Sequence, residues 1–229
     1  MKLSIIIPAF NEEATLAEVL DRVGGVILSV GWEKEIIVVD DFSKDGTVEI
    51  ARLRSEIKLI KHKENQGKGA AVRDGLKAAT GEIIIIQDAD LEYRPEEYSL
   101  LMEPIIKGEA EVVYGSRFLK AGARERMTKR QYFSNKFLTY LSNLFTGLRL
   151  TDMETCYKVL SRKVVKKIKD KLVSDRFGIE PEITARVKKY KIKEVPVSYQ
   201  ARSFKEGKKI GAKDGLAAVW HIVRFNLFS

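Results

Sequence analysis

Cysteine and histidine are nearly missing from this chain of 229 residues, which contains one of the former and two of the latter. The solitary Cys156 excludes an intramolecular disulfide, and with only His62 and His221 available a Cys/His zinc cluster cannot be assembled. Any metal must therefore be held by oxygen. Long hydrophobic runs are also lacking. No stretch reaches the roughly 20 apolar residues that a membrane-spanning helix requires. The opening "MKLSIIIPAF" is too short for the apolar core of a secretory leader, and Pro8 interrupts it. The expectation is a cytoplasmic protein. No linker, internal repeat or low-complexity tract divides the chain, so residues 1–229 are read as one domain.

What is present fits an α/β protein with an ordinary core: 45% of residues are hydrophobic and 32% charged. Lysine and arginine number 41 against 32 acidic residues, a formal charge of +9. That excess suits an anionic partner, for which nucleic acid, a phosphate-bearing substrate and the cytoplasmic membrane face all qualify.

Short β-branched runs recur at "LSIIIP" (3–8), "EIIVVDD" (35–41), "IKLIKH" (57–62), "EIIIIQD" (82–88) and "AEVVYG" (110–115), and helical spacing fills 12–29, 46–54, 68–79 and 95–107. Strands alternating with helices predict βαβ units and a doubly wound, mainly parallel sheet buried on both faces. After residue 116 the pattern becomes mixed: a helix over 129–147 stopped by Gly147, a strand at 156–161, a basic helix begun by Ser161, a helix near 181–190, a strand at 193–199 and a last helix near 212–228.

Ligands of such sheets bind beyond the carboxyl ends of the strands. The residues there are Pro8, Phe10, Asn11 and Glu12 after the first strand, Asp40 and Asp41 after the second, and Asp88 and Asp90 after the fourth, all expected on one rim. In "IIIIQDADLEY" (83–93) the two carboxylates follow a buried strand directly. Their like charges resist close approach unless they stand in water at a strand end or a cation holds them. A D-x-D step in extended chain turns both side chains to one face, where two oxygens can share a hard cation and leave positions for phosphate oxygens. Asp41 either accepts from a nucleobase or ribose, or caps the turn "DFSKDGT". "NQGKGAAVRDG" (65–75) lacks the third glycine of a dinucleotide fingerprint and is no P-loop, so it reads as a glycine-permitted helix start near a ligand.

Taken in order, "SIIIPAFNEE", "VVDDFSKDGT", "NQGKGAAVRDG" and "QDADLEY" resemble family 2 glycosyltransferases of the GT-A fold. "GSRF" (115–118), "TDMETCYKVL" (151–160), "EVPVSY" (194–199) and "RSFKEGKKI" (202–210) resemble the dolichyl-phosphate mannose and glucose synthase branch. The resemblance spans nearly the whole chain. It implies a nucleotide pocket lined by Pro8, Phe10, Glu12, Val39 and Asp41, with Phe10 replacing the tyrosine usual there. It further implies Mg2+ or Mn2+ held by Asp88 and Asp90, Ala89 against the nucleotide, and Glu92 as a third ligand where mannose synthases carry glutamine. Arg117, Arg202 and Lys208 match the phosphate-binding cations, Asp152 matches an acidic position near the acceptor, and Arg130 is a candidate for gripping the acceptor phosphate.

The implied reaction moves mannose or glucose from a GDP- or UDP-linked donor to a polyprenyl phosphate, with Asp90, Asp152 and Arg117 at the chemistry. Residues 1–115 would bind the nucleotide sugar, 116–210 the acceptor, and 211–229 would form an amphipathic helix. That helix places Leu216, Val219, Trp220, Val223 and Leu227 on one stripe, suited either to an anionic membrane surface, at the cytoplasmic face, or to packing on the sheet. A partner membrane protein is a second route to the bilayer. The alternative within enzymes is a soluble transferase acting on a small phosphorylated acceptor or a polysaccharide. Nucleic acid is not expected: the lysines are scattered without an aromatic platform, and an acidic rim repels phosphate.

Overall fold

The computed structural model describes residues 1–122, 127–201 and 212–228. Isoleucine and valine runs form the strands β1 (Lys2–Ala9), β2 (Glu33–Asp40), β3 (Ile57–Lys61), β4 (Ile83–Ile86), β5 (Val112–Ser116), β6 (Lys158–Ser161) and β7 (Ile192–Pro196). They make one sheet in the order β3-β2-β1-β4-β6-β5-β7. β1 pairs in parallel with β2 and β4, β2 with β3, and β5 with β7, whereas β6 runs antiparallel to both β4 and β5. The sheet is thus mainly parallel, as the alternation of elements predicts. β-Branched side chains pack well on a pleated surface, and the four isoleucines of β4 are buried on both faces because helices cover each side.

The helices are α1 (Leu16–Gly25), α2 (Thr47–Arg52), α3 (Lys68–Ala78), α4 (Tyr98–Ile106), α5 (Lys129–Thr146), α6 (Arg162–Ile168), α7 (Ile179–Val187) and α8 (Ala212–Leu227). α1 buries Leu16, Val19, Leu20 and Val23, the spacing of one helical face. It is shorter than the periodicity suggests, since residues 12–15 form a turn and Val26 is extended. α5 opens with a reciprocal cap between Thr128 and Gln131 and stops at Gly147, whose left-handed φ of 74° needs a residue without Cβ. Ser161 stands at the start of α6, but its side chain makes no capping bond.

α8 turns Ala218, Ile222 and Phe225 into the core against α5 and α7. Trp220 and Leu227 remain exposed and Val219 and Val223 are half-buried, so the helix both packs on the body and presents apolar surface. The Leu216 side chain lies outside the described residues.

Candidate active site

Three loops, following β1, β2 and β4, meet at one edge of the sheet. Asn11, Phe42 and Leu91 are the non-glycine residues with positive φ among those described, at 51°, 67° and 61°, and each sits on one of these loops. Such conformations cost roughly 1–3 kcal/mol apiece and persist where the surroundings impose them, commonly at binding sites.

On the β1 loop, the Glu12 amide donates to Thr47 Oγ1 at 2.8 Å, and the Thr15 hydroxyl lies 2.9 Å from the Glu12 carboxylate and 2.7 Å from the Ala89 carbonyl. These contacts tie the first loop to the D-x-D segment. Pro8 and Phe10 are half-buried beside them, and Val39 is wholly buried with Ile37 and Ala71.

Asp41 does not cap the turn that follows it. Asp45 takes that role, accepting from the Thr47 amide at 3.1 Å. Asp41 is a buried hub instead: Oδ1 accepts from His62 Nδ1 at 2.8 Å and from the Gln66 amide at 2.8 Å, and Oδ2 from the Gly67 amide at 2.7 Å. It thereby fixes the entry to α3. Gly67 has φ 97°, and a Cβ there would lie 2.7 Å from Arg176 Cγ and closer still to the Asp175 carbonyl, so this entry can press against residues 174–176 only without a side chain. The Asp40 carboxylate accepts from the Ser43 amide at 3.3 Å through Oδ2, while its buried Oδ1 has no partner among the described residues.

That close approach positions Lys68, a residue the sequence reading passed over. Its ammonium stands 2.8 Å from Asp88 Oδ1 and 3.0 Å from Glu180 Oε1. Burial works against the Lys68 charge, but Asp88 and Glu180 outweigh it and raise its pKa. Burial likewise pushes the Asp88 carboxyl up, and the adjacent Lys68 charge overcomes this and holds it below the ordinary range. Gln87 sets the height of this segment. Its Oε1 accepts from the buried Tyr98 and Tyr157 hydroxyls, each at 2.8 Å, and its Nε2 donates to the Asp88 carbonyl at 2.9 Å.

Asp90 Oδ1 accepts from the Glu92 amide at 3.1 Å, and Glu92 Oε2 accepts from the Tyr199 hydroxyl at 2.7 Å. Among the described residues no group of three or more His, Cys, Asp or Glu side chains converges on a point where a metal could sit. Asp88 and Asp90 supply hard oxygen atoms suited to Mg2+ or Mn2+, with further oxygens left for a diphosphate to provide. Glu92 is engaged with Tyr199 in this conformation.

On the other side of the rim, the loop 151–156 is tightly held. Glu194 accepts from the Thr151 amide at 2.9 Å and the Asp152 amide at 3.1 Å. The buried Lys158 ammonium donates to the Met153 and Thr155 carbonyls. Asp152 is fully buried and forms a fork with Arg117, whose Nε and Nη2 each lie 2.7 Å from one carboxylate oxygen. Burial opposes the Arg117 charge, yet the Asp152 carboxylate raises its pKa well above normal. Two residues on, Glu154 differs. Its Oε1 is buried without a partner, and burial, followed by repulsion from Glu180, pushes its carboxyl up to about 7.

Arg117 and Asp152, named separately from the sequence, are therefore one buried ion pair. Arg130 is exposed in the first turn of α5. Arg202 and Lys208 lie outside the described residues. Sequence reasoning missed Lys68, Glu154 and Glu180. The first was in plain view between Gly67 and Gly69, the second two residues from Asp152, and the third had no local signal because α7 delivers it from a distance.

The sequence matches the family model of glycosyl transferase family 2 over residues 4–169. A dolichol-phosphate mannosyltransferase of Pyrococcus furiosus is 31% identical over 216 residues, which are 92% of this chain and 60% of that protein. A UDP-N-acetylglucosamine–dolichyl-phosphate N-acetylglucosaminyltransferase of Methanococcus voltae is 29% identical over 84% of this chain and 83% of its own length. Among solved structures, the UDP complex of glucosyl-3-phosphoglycerate synthase from Mycobacterium tuberculosis aligns with a TM-score of 0.74 at 20% identity, covering 98% of this chain and 79% of the other. The complex of the same enzyme with Mn2+, UDP and glucosyl-3-phosphoglycerate gives 0.69 at 19% identity, with 98% and 80% covered. That likeness is one of fold, and the fold is GT-A.

Proposed function

Because the chain belongs to glycosyl transferase family 2, we propose that it transfers mannose or glucose, with inversion, from a GDP- or UDP-linked donor to a polyprenyl phosphate. The observation that carries this reading is the convergence of the three strained loops at Asn11, Phe42 and Leu91 on the edge that bears Asp88 and Asp90. The named relatives from P. furiosus and M. voltae share a dolichyl-phosphate acceptor and differ in sugar, which supports the acceptor more than the hexose. The chain spans 60% of the P. furiosus protein, so the comparison covers its matching part.

In this reading residues 1–115 receive the donor and 116–210 the acceptor. Pro8, Phe10, Glu12, Val39, Asp41 and Ala89 form the nucleotide side. Asp88 and Asp90 would hold Mg2+ or Mn2+, which neutralises charge on the departing diphosphate. Arg202 and Lys208 add cationic charge to the same leaving group. Arg117, with Nε and Nη2 given to Asp152, keeps Nη1 for a phosphate and holds the acceptor loop in place. A phosphate monoester is already anionic at neutral pH and hardly needs a general base. Catalysis then rests on holding it in line behind the anomeric carbon, and a single displacement inverts the configuration there.

No helix among the described residues is long and apolar enough to cross a membrane, yet the acceptor resides in one. α5 offers the route. It has no acidic residue, carries Lys129, Arg130 and Lys136, and exposes Phe133, Phe137, Tyr140 and Leu144, while the C-terminal segment that packs on it exposes Trp220, Leu227 and Phe228. A cationic helix with an apolar stripe lies favourably in the interface of an anionic bilayer. The enzyme would work as a peripheral protein at the cytoplasmic face, by itself or with a membrane-protein partner. The test is incubation with Mg2+ or Mn2+ and a panel of labelled nucleotide sugars, asking which label passes to polyprenyl phosphate in anionic liposomes. Transfer only to soluble phosphorylated acceptors would overturn the lipid assignment.

A further inference from the structure

Glu180 is more than nine-tenths buried, and its Oε2 has no hydrogen-bond partner among the described residues. Its other oxygen is 3.0 Å from the Lys68 ammonium, which itself lies 2.8 Å from Asp88. Glu154 of the acceptor-side loop presents a second buried oxygen without a partner, and electrostatic repulsion couples it to Glu180. Two acceptor oxygens from two different elements thus stand with unmet hydrogen-bonding capacity among the described residues, that of Glu180 one lysine away from Asp88. A buried acceptor left unpaired costs free energy comparable to a lost hydrogen bond.

The chemistry of the surroundings narrows what could fill them. Lys68 is already shared between Asp88 and Glu180, and the Lys158 ammonium is turned to the Met153 and Thr155 carbonyls. Arg117 gives Nε and Nη2 to Asp152. A phosphate would be repelled by the two carboxylates. A divalent ion finds no third acidic side chain converging there among the described residues. Neutral hydroxyl donors fit: two adjacent hydroxyls can give one hydrogen bond to each carboxylate without adding charge.

We propose that Glu154 and Glu180 together bind hydroxyl groups of the donor's hexose and so select the sugar. This rests on the glycosyl-donor reading above, which sets the diphosphate at Asp88 and therefore the sugar ring just beyond it. Asp152, whose two oxygens are occupied by Arg117, positions the loop, and Glu154 makes the contact. A site built to accept hydrogen bonds from a hydroxyl discriminates strongly against analogues that lack or misplace it.

The test is calorimetric binding, with Mn2+ present, of GDP, GDP-mannose, GDP-glucose, UDP and UDP-glucose to the wild type and to Glu154→Gln, an isosteric change. For the wild type, attaching the matching hexose should tighten binding over the bare nucleoside diphosphate. In Glu154→Gln the bare nucleotide should bind within about twofold of wild type, while the sugar conjugate weakens about tenfold and the preference between mannose and glucose flattens. Equal losses for nucleotide and conjugate, or no loss for either, would overturn the sugar contact and leave the donor reading standing. A wild type that binds nucleotides but gains nothing from any hexose would overturn it without recourse to a variant. A wild type that binds no nucleotide or nucleotide sugar at all would overturn both readings together.

Discussion

The rim loops after β1, β2 and β4 and the loop 151–156 are positioned by different means. The rim is built from chain that leaves a buried strand and turns at once: β1 gives Pro8 to Glu12, β2 gives Asp40 and Asp41, and β4 gives Asp88 and Asp90. The loop 151–156 follows no strand. It is held by two distant partners, Arg117 on Asp152 and Glu194 on the Thr151 and Asp152 amides, and by the nearby Lys158 on two carbonyls. The first construction buries Asp40 and Asp41 and leaves Asp88 and Asp90 half-buried at the edge, where a ligand can meet them. The second buries its ion pair and leaves Glu154 half-buried, with one buried oxygen unpaired among the described residues. Damage should therefore abolish chemistry at the rim and destabilise the body at the loop.

The largest expected effect belongs to the rim. Asp90→Asn should lower transfer by at least about a hundredfold, because it removes a charge needed where the leaving group gains its own. The melting temperature should stay near that of wild type, since Asp90 lies at a loop and not in the core. Retained turnover in the labelled-sugar assay would contradict its assignment. Arg117→Ala inverts the outcome. It leaves the Asp152 carboxylate buried without its cation and should cost about 3–5 kcal/mol of stability in denaturant titrations. If unfolding were unchanged, the contrast between edge and body would be wrong.

A smaller effect should appear with pH. Burial and Glu180 raise the Glu154 carboxyl from 4.5 to about 7 in the folded state. The folded protein then binds a proton that the unfolded chain has released, so this group's stabilising contribution is complete below about pH 4.5 and is lost as pH rises through 7. The loss should be about 1–3 kcal/mol, set toward the lower end because the residue retains some exposure. Glu154→Gln should flatten that slope when melting temperatures of the two proteins are compared between pH 4.5 and 8. Parallel curves would show that the carboxyl titrates normally.

The same contrast explains what could be read from the sequence. Strands β1 to β4 and the helices between them announce themselves through β-branched runs and helical spacing, and the acidic rim follows because parallel sheets place ligands at strand ends. The antiparallel direction of β6 has no such signature, as a short strand of three buried residues and Ser161 pairs equally well either way. Lys68 was visible as part of the helix start that it does form, but its partners were not, since only the fold brings Glu180 to the other side of its ammonium. The pairing of Arg117 with Asp152 joins positions 35 apart in sequence, and no local pattern encodes it. The apolar face of α5 was legible as amphipathic spacing, but which side it buried was not. The structure answers with Leu138, Thr139 and Ser142 inward and Phe137 and Tyr140 outward.

That face supplies the smallest expected effect on stability and a separate test of how the enzyme reaches its acceptor. Phe137 is 57% exposed, so Phe137→Ser removes little buried surface and should change the unfolding free energy by no more than about 0.5 kcal/mol. On an anionic bilayer the same ring would be withdrawn from water, and its loss should weaken co-sedimentation with anionic liposomes by several-fold while transfer to a water-soluble acceptor analogue stays constant. Lys136→Glu should act in the same direction and more strongly at low salt, because it reverses a charge on the helix that would meet anionic headgroups. If neither change alters liposome binding, α5 is not the membrane face. The exposed Trp220 and Leu227 of α8 would then be the surface to mutate next.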